Sequence, residues 1–214
     1  MENCRTHTHD MLVLKIDDML RYCGLKTKTE ERRCFQESDP DNEKRPDISI
    51  FNLPWHAPKF LLDLQISNPV PGSSFGAEPH NDTLSAAQAA NPGRAAKVAY
   101  QDKMRIMPTV VQNGLGFLPI IFETAGFVHE NTVKFFKRLA AHAEEEKKIP
   151  QAVLYRFMMT QLSVCQQRHQ ARAIIQRSSS LNGRNSIQLR GHAFSYESVS
   201  THDQVRVGNM LPRH

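Results

Sequence analysis

Apolar positions in this chain recur at two different periods, and the switch between them outlines its elements. From His9 to Cys23, the residues Met11, Leu12, Ile16, Met19, Leu20 and Cys23 fall three or four apart, the step of one helix face. Gly24 then offers a C-terminal stop. Residues 25–35 mix Thr with charged side chains, which predicts an exposed or edge strand, and the acidic, Pro-containing stretch 37–44 predicts a turn. Two β-prone runs follow near 46–52 and 60–67, joined by a segment in which Pro54 and Pro58 exclude regular structure. Residues 68–93 are punctuated by Pro and Gly and predict a long loop, a feature that is usually functional or disordered. Arg94 to Met107 predicts an Ala-rich helix stopped by Pro108. Gly116 to Thr124 predicts a short apolar strand, and Asn131 to Lys148 a strong helix. Pro150, well placed in a first helical turn, opens a further helix to about Arg177. In it Val153, Phe157, Val164, Ala171 and Ile175 share one stripe at four- and seven-residue steps.

The predicted order is helix, strand, strand, strand, helix, strand and two helices. That order gives a sheet with helices on its faces, an α/β or α+β layered domain. The expected division is a core over 5–148, a basic helix over 149–177 packed on that core, and a Ser/Asn/Gly-rich, disordered tail over 178–214. A chain of 214 residues has room for one well-buried domain with appendages. No apolar run approaches membrane-spanning length, and Met1-Glu2-Asn3-Cys4-Arg5 is not followed by the hydrophobic stretch of a secretory leader. Membrane partners are therefore not expected. Four cysteines without a Cys-x-x-Cys pair argue against a disulfide framework and for a reducing, intracellular setting.

Charge is distributed unevenly. Residues 149–214 hold eight cations, all Arg, against two acids, and no acidic residue lies between Glu146 and Glu197. Such a segment suits a phosphate backbone. Arg168 and Arg172, one helical turn apart, can reach the same phosphate strand, and Arg156 extends the series. A solvated outer helix face would produce the same pattern.

Two aspartates change the picture most. Asp47 opens one β-prone run, and Asp63 interrupts Leu61-Leu62-Asp63-Leu64 in the other. A charge inside a buried run is costly unless compensated, and a bound cation compensates it well. Carboxylates converging from adjacent strands make a hard oxygen site suited to Mg²⁺ or Mn²⁺. Gln65 could add its amide oxygen. A lysine on the following helix would supply a second positive charge or orient a water, and since Lys97 and Lys103 lie on nearly opposite faces only one of the two should reach the site. Together these residues predict phosphodiester chemistry. Each also has an ordinary role open to it: Asp47 bonding loop amides, Gln65 simply exposed, Lys103 lining a helix face. Glu30 or Glu31 is a candidate third carboxylate. Cys4, His7 and His9 are spaced loosely like the end of a zinc knuckle, although a tetrahedral site needs four ligands.

The segments Arg45-Pro46-Asp47 and Leu62-Asp63-Leu64-Gln65-Ile66 resemble the restriction-endonuclease-like superfamily, the PD-(D/E)-x-K nucleases. Gln65 stands where the usual Lys would be. The branch in which that Lys has moved to the next helix is the endonuclease domain following the reverse transcriptase in site-specific non-LTR retrotransposons. Asp102-Lys103-Met104-Arg105-Ile106-Met107 is similar to the lysine segment of that branch, with Lys103 in register and Ile106 and Met107 departing from it. His7-Thr8-His9-Asp10 resembles its Arg-His-Asp-like start, and Gly116–Gly126 with the Phe135-Phe136-Lys137-Arg138 helix resembles its C-terminal part. The likeness spans roughly 5–177. It implies a restriction-endonuclease-like mixed sheet flanked by helices, a catalytic set of Asp47, Asp63, Lys103 and Gln65, Mg²⁺ or Mn²⁺ on Asp47 and Asp63, and a DNA target, with RNA as second candidate. It also implies nicking of a retroelement's target site in a nuclear setting, the chain being a C-terminal piece or decayed copy. The alternatives are a catalytically dead nuclease-like fold that only binds nucleic acid, and a protein-interaction module built on the 131–177 helices.

Overall fold

A computed structural model of the chain describes residues 4–31, 46–56, 58–69, 91–105 and 114–182. In chain order the elements are α1 (Cys4–Tyr22), β1 (Thr27–Thr29), β2 (Ile48–Ile50), β3 (Phe60–Ser67), α2 (Arg94–Met104), β4 (Gly116–Glu123), α3 (Glu130–Lys147) and α4 (Gln151–Asn182). This is the order expected from the hydrophobic pattern. The strands form one mixed sheet in the order β1-β2-β3-β4, with β1/β2 and β2/β3 antiparallel and β3/β4 parallel. The protein is an α/β layered fold.

Strand alternation divides the side chains between two layers. Phe60, Leu62, Leu64 and Ile66 of β3, with Ile48 and Ile50 of β2 and Ile120 and Phe122 of β4, face the main core. Leu12, Ile16 and Leu20 of α1, Phe136 and Leu139 of α3, and Leu154, Met158 and Leu162 of α4 cover them. The opposite face of β4 is covered by α2, whose Ala96 and Ala99 pack on Ile121. Small residues let α2 lie close to the sheet.

Proline in β4 is explained by its place at the sheet edge. Gly116 N–H donates to the carbonyl of Lys59, toward β3, whereas Ile121 N–H points away and donates to Thr132 Oγ1. Pro119 shares the parity of Ile121, so its missing N–H lies on the side where no strand needs it.

Several expectations are refined. α1 begins at Cys4 rather than His9, β1 is only three residues long and lies at the edge as expected, and α2 ends at Met104, with 106–113 outside the described residues. Helix α4 continues to Asn182, past the expected end near 177. The turn at 37–44 and most of the 68–93 loop lie outside the described residues, as does 183–214.

One expectation reverses. Val153, Phe157, Val164 and Ile175 of α4 are exposed, and the helix buries Leu154, Met158, Leu162, Gln166 and His169 instead. The physical reason is the polar end of the true stripe. Gln166 Nε2 donates to the carbonyl of Glu123, and the His169 ring lies edge-on to His7 at 4.8 Å between centroids. A stripe that ends in Gln and His scores as polar in sequence although it is buried.

Candidate active site

Register alone brings the two aspartates together. Ile48 pairs with Leu62 across the antiparallel β2/β3 ladder, so Asp47, one step before β2, stands opposite Asp63. Asp47 continues the ladder with its side chain: Oδ2 accepts from the Leu64 N–H, and its own carbonyl accepts from the Glu30 N–H at 2.9 Å. Asp63 pairs with Pro119 on its other side and belongs to the sheet face that α2 covers.

Lys103 reaches this face from above. Ala96, Ala99 and Lys103, at i, i+3 and i+7, share one side of α2, so the packing that seats the two alanines also aims the lysine. Its Nζ lies 2.7 Å from Asp63 Oδ2, with 17% of the Asp63 side chain exposed. Lys97 is exposed. Gln65, two residues along β3 from Asp63, lies on the same sheet face and is half-buried.

The start of α2 is fixed independently. The buried Glu123, at the end of β4, accepts the Ala96 N–H on Oε1 at 2.9 Å. This carboxylate satisfies a backbone donor that the helix itself leaves open, and its charge complements the helix dipole. Gly93 precedes the helix with φ +80, and a Cβ there would overlap the Phe127 ring. Tyr100 of α2 stacks on His129 at 4.2 Å, and His129 in turn caps α3 by accepting from the Asn131 N–H on Nδ1. Burial holds the His129 imidazole below its ordinary pKa, which keeps that nitrogen free to accept.

A fourth side chain enters from α1. His9 Nε2 lies 3.3 Å from Asp47 Oδ2 and 3.2 Å from the carbonyl of Leu64, while Nδ1 lies 3.2 Å from Asp10 Oδ1. Both ring nitrogens face oxygen acceptors, the arrangement that favours imidazolium. The hydrogen bond to Asp47 raises the His9 pKa from 6.5 to about 9 against the opposing effect of burial, with the charge of Asp47 and the bonds to Asp10 and Leu64 adding to the rise. Asp63 is also pushed above the usual carboxylate range. Burial does most of this and Lys103 opposes it, while Asp47 reinforces it by charge and by hydrogen bonding.

The structure thus joins Asp47, Asp63 and Lys103 and adds His9. In the sequence His9 figures in the likeness at the head of α1 and in the zinc-knuckle spacing, not as a partner of Asp47, because a contact spanning 55 residues leaves no periodic trace. Glu123 was also missed, although its signal was present: an acid closing the apolar run Gly116–Phe122, the same argument that singled out Asp63. Glu31 is not part of the cluster, since Lys59 at 2.8 Å and Lys28 at 3.7 Å hold its carboxylate. Of the three residues in the zinc-knuckle spacing, His7 lies against His169 and His9 on Asp47. Among the described residues no group of three or more His, Cys, Asp or Glu is arranged to hold a metal ion. Arg156, Arg168 and Arg172 all lie exposed on α4. No helix among the described residues is long and apolar enough to cross a membrane.

No family model matches the chain. Over 136 residues it is 30% identical to the retrotransposable element SLACS 132 kDa protein of Trypanosoma brucei gambiense, a match covering 63% of this chain and 11% of that protein. The chain therefore spans only a small part of its relative's length. The similarity supports a retrotransposon-related origin.

Proposed function

We propose that this chain is a metal-dependent endonuclease domain of a retroelement, which nicks DNA by hydrolysing a phosphodiester bond. The observation that carries the reading is the meeting of Asp47 and Asp63 from neighbouring β segments beneath the Lys103 ammonium. The donor set fits a hard divalent cation: two carboxylates with a half-buried amide on the same face, the remaining positions left to water, as Mg²⁺ prefers. The raised proton affinity of Asp63 supports this, because burial, with Asp47 beside it, disfavours its charge by more than Lys103 offsets. Asp47 and Asp63 would hold Mg²⁺ or Mn²⁺, and the ion would supply charge neutralisation at the scissile phosphate.

The chain's own groups would do the rest. Lys103 is placed to exchange its contact with Asp63 for one to the phosphate or the attacking water, adding positive charge where negative charge develops. His9 and the Leu64 N–H both engage Oδ2 of Asp47, and the other oxygen would serve the ion. Gln65 would orient water from the next position on the strand. Glu123 and Tyr100 hold α2, and so Lys103, in place. The exposed Arg156, Arg168 and Arg172 would follow the DNA backbone only where no protein partner takes up the same face of α4, and a nuclear location would fit a DNA target.

A second reading draws on the same contact. Lys103 sits on the Asp63 oxygen that a cation would use, an arrangement that also suits a nuclease-like fold which binds nucleic acid without cutting it. Supercoiled plasmid with Mg²⁺ or Mn²⁺ separates the two. Nicking by the wild type that Asp63→Ala abolishes supports the enzyme. Salt-sensitive DNA binding without nicking, unchanged in Asp47→Ala/Asp63→Ala, supports the binding fold.

A further inference from the structure

Helix α4 carries two apolar stripes, and the described residues pack on one. Opposite the buried Leu154, Met158 and Leu162 runs an outward strip of Val153, Phe157, Val164 and Ile174, with exposures of 56%, 51%, 37% and 66%. Thr160, Gln167 and Ala171 fill the intervening positions and are exposed too. The steps from Val153 alternate four and three without a break, the spacing of a helix that packs on another helix by knobs into holes. The strip is roughly 30 Å long. A large exposed apolar strip on a well-packed helix marks an interaction surface.

Charge decides what fits it. Arg156 and Arg168 occupy the flanking positions of the strip, Arg172 lies on the outer surface, and α4 contains no Asp or Glu. A second copy of this helix would bring like charges together with nothing to offset them. A phosphate backbone would satisfy the arginines but leave Val153, Phe157 and Val164 against water and anionic oxygen. An amphipathic helix with acidic flanks satisfies both halves of the surface, its apolar face on the strip and its carboxylates on the arginines. We propose that the outer face of α4 docks such an acidic amphipathic helix of a partner protein. The proposal does not depend on the nuclease reading.

The test uses the full 214-residue chain and a labelled synthetic helix with Leu and Ile at inward heptad positions and Glu at both flanks, followed by fluorescence anisotropy. A matched helix with Lys flanks is the control. Saturable binding of the Glu helix, absent for the Lys helix, is expected. The neutral double substitution Phe157→Ser/Val164→Ser should weaken it at least about tenfold. Both side chains are exposed, so the circular dichroism and melting temperature of the variant should match wild type. No saturable binding, equal binding of the Lys helix, or unchanged affinity in the double variant overturns the proposal. Sedimentation showing a wild-type dimer that the double variant dissolves also overturns it, by making a second copy the occupant. Loss of DNA binding in the neutral variant overturns it in favour of nucleic acid.

Discussion

Replacing His9 by Gln tests the electrostatic core of the site without touching either aspartate. In the folded chain the His9 pKa stands at about 9 rather than 6.5, chiefly because Nε2 bonds Asp47. A move of that size is worth at most ~3.5 kcal/mol, at about 1.4 kcal/mol for each tenfold change in proton affinity. With 30% of the side chain exposed, solvent screening reduces the expected contribution to about 1 kcal/mol. The folded state binds the proton more tightly than the unfolded state. The stabilisation is therefore whole below pH 6.5, fades as the pH rises, and is lost above about 9. Urea denaturation in metal-free buffer across that range should show wild type exceeding His9→Gln by about 1 kcal/mol more at the acid end than at the alkaline end. A difference that stays constant across the range would mean that the imidazolium–Asp47 pair contributes nothing, and the assignment of His9 to the site would fail.

Other perturbations report on the surrounding frame. Phe136→Ala opens a cavity in the main core, where the ring is fully buried, and should cost about 3–5 kcal/mol in chemical denaturation. Glu123→Ala leaves the Ala96 amide without its partner and should cost about 1–3 kcal/mol, with amide exchange rising selectively at the start of α2. Gly93→Ala should lower the melting temperature clearly, since it combines a positive φ with a clash against Phe127; an unchanged melting temperature would contradict that packing. Because Asp63 holds its proton above the ordinary range, Mn²⁺ affinity should rise with pH through the acid range and level off once the carboxyl is ionised. Titration calorimetry at several pH values reads this directly.

The order of elements was legible because each had a clean period. The α1 stripe, the two aspartate-bearing runs and the Gly116–Glu123 strand lie where hydrophobic spacing placed them. The pairing of Asp47 with Asp63 was legible as well, since two short β runs joined by a tight segment become neighbours and a charge within such a run calls for a partner. Lys103 was legible as a lysine on the helix after the second aspartate run and from its register in the family resemblance, whereas its seat seven residues beyond the buried Ala96 shows in the structure. What stayed hidden were contacts set by tertiary packing. His9 meets Asp47 through the docking of α1 on the face of the sheet. Gln166 and His169 disguised the true buried stripe of α4, so that the more hydrophobic outward strip looked like the packing face. Glu31 was drawn away by Lys59, which lies far along the chain at the start of β3.

Everything proposed for the site depends on Asp47 and Asp63 acting together on one divalent ion. Electron paramagnetic resonance titration of Mn²⁺ into the wild type, Asp47→Asn and Asp63→Asn chains measures that directly. The account predicts one saturable ion per wild-type chain and severe weakening by either substitution, with each variant folded by circular dichroism. Undiminished Mn²⁺ binding in the Asp47→Asn/Asp63→Asn chain, or no binding by the wild type, would contradict it.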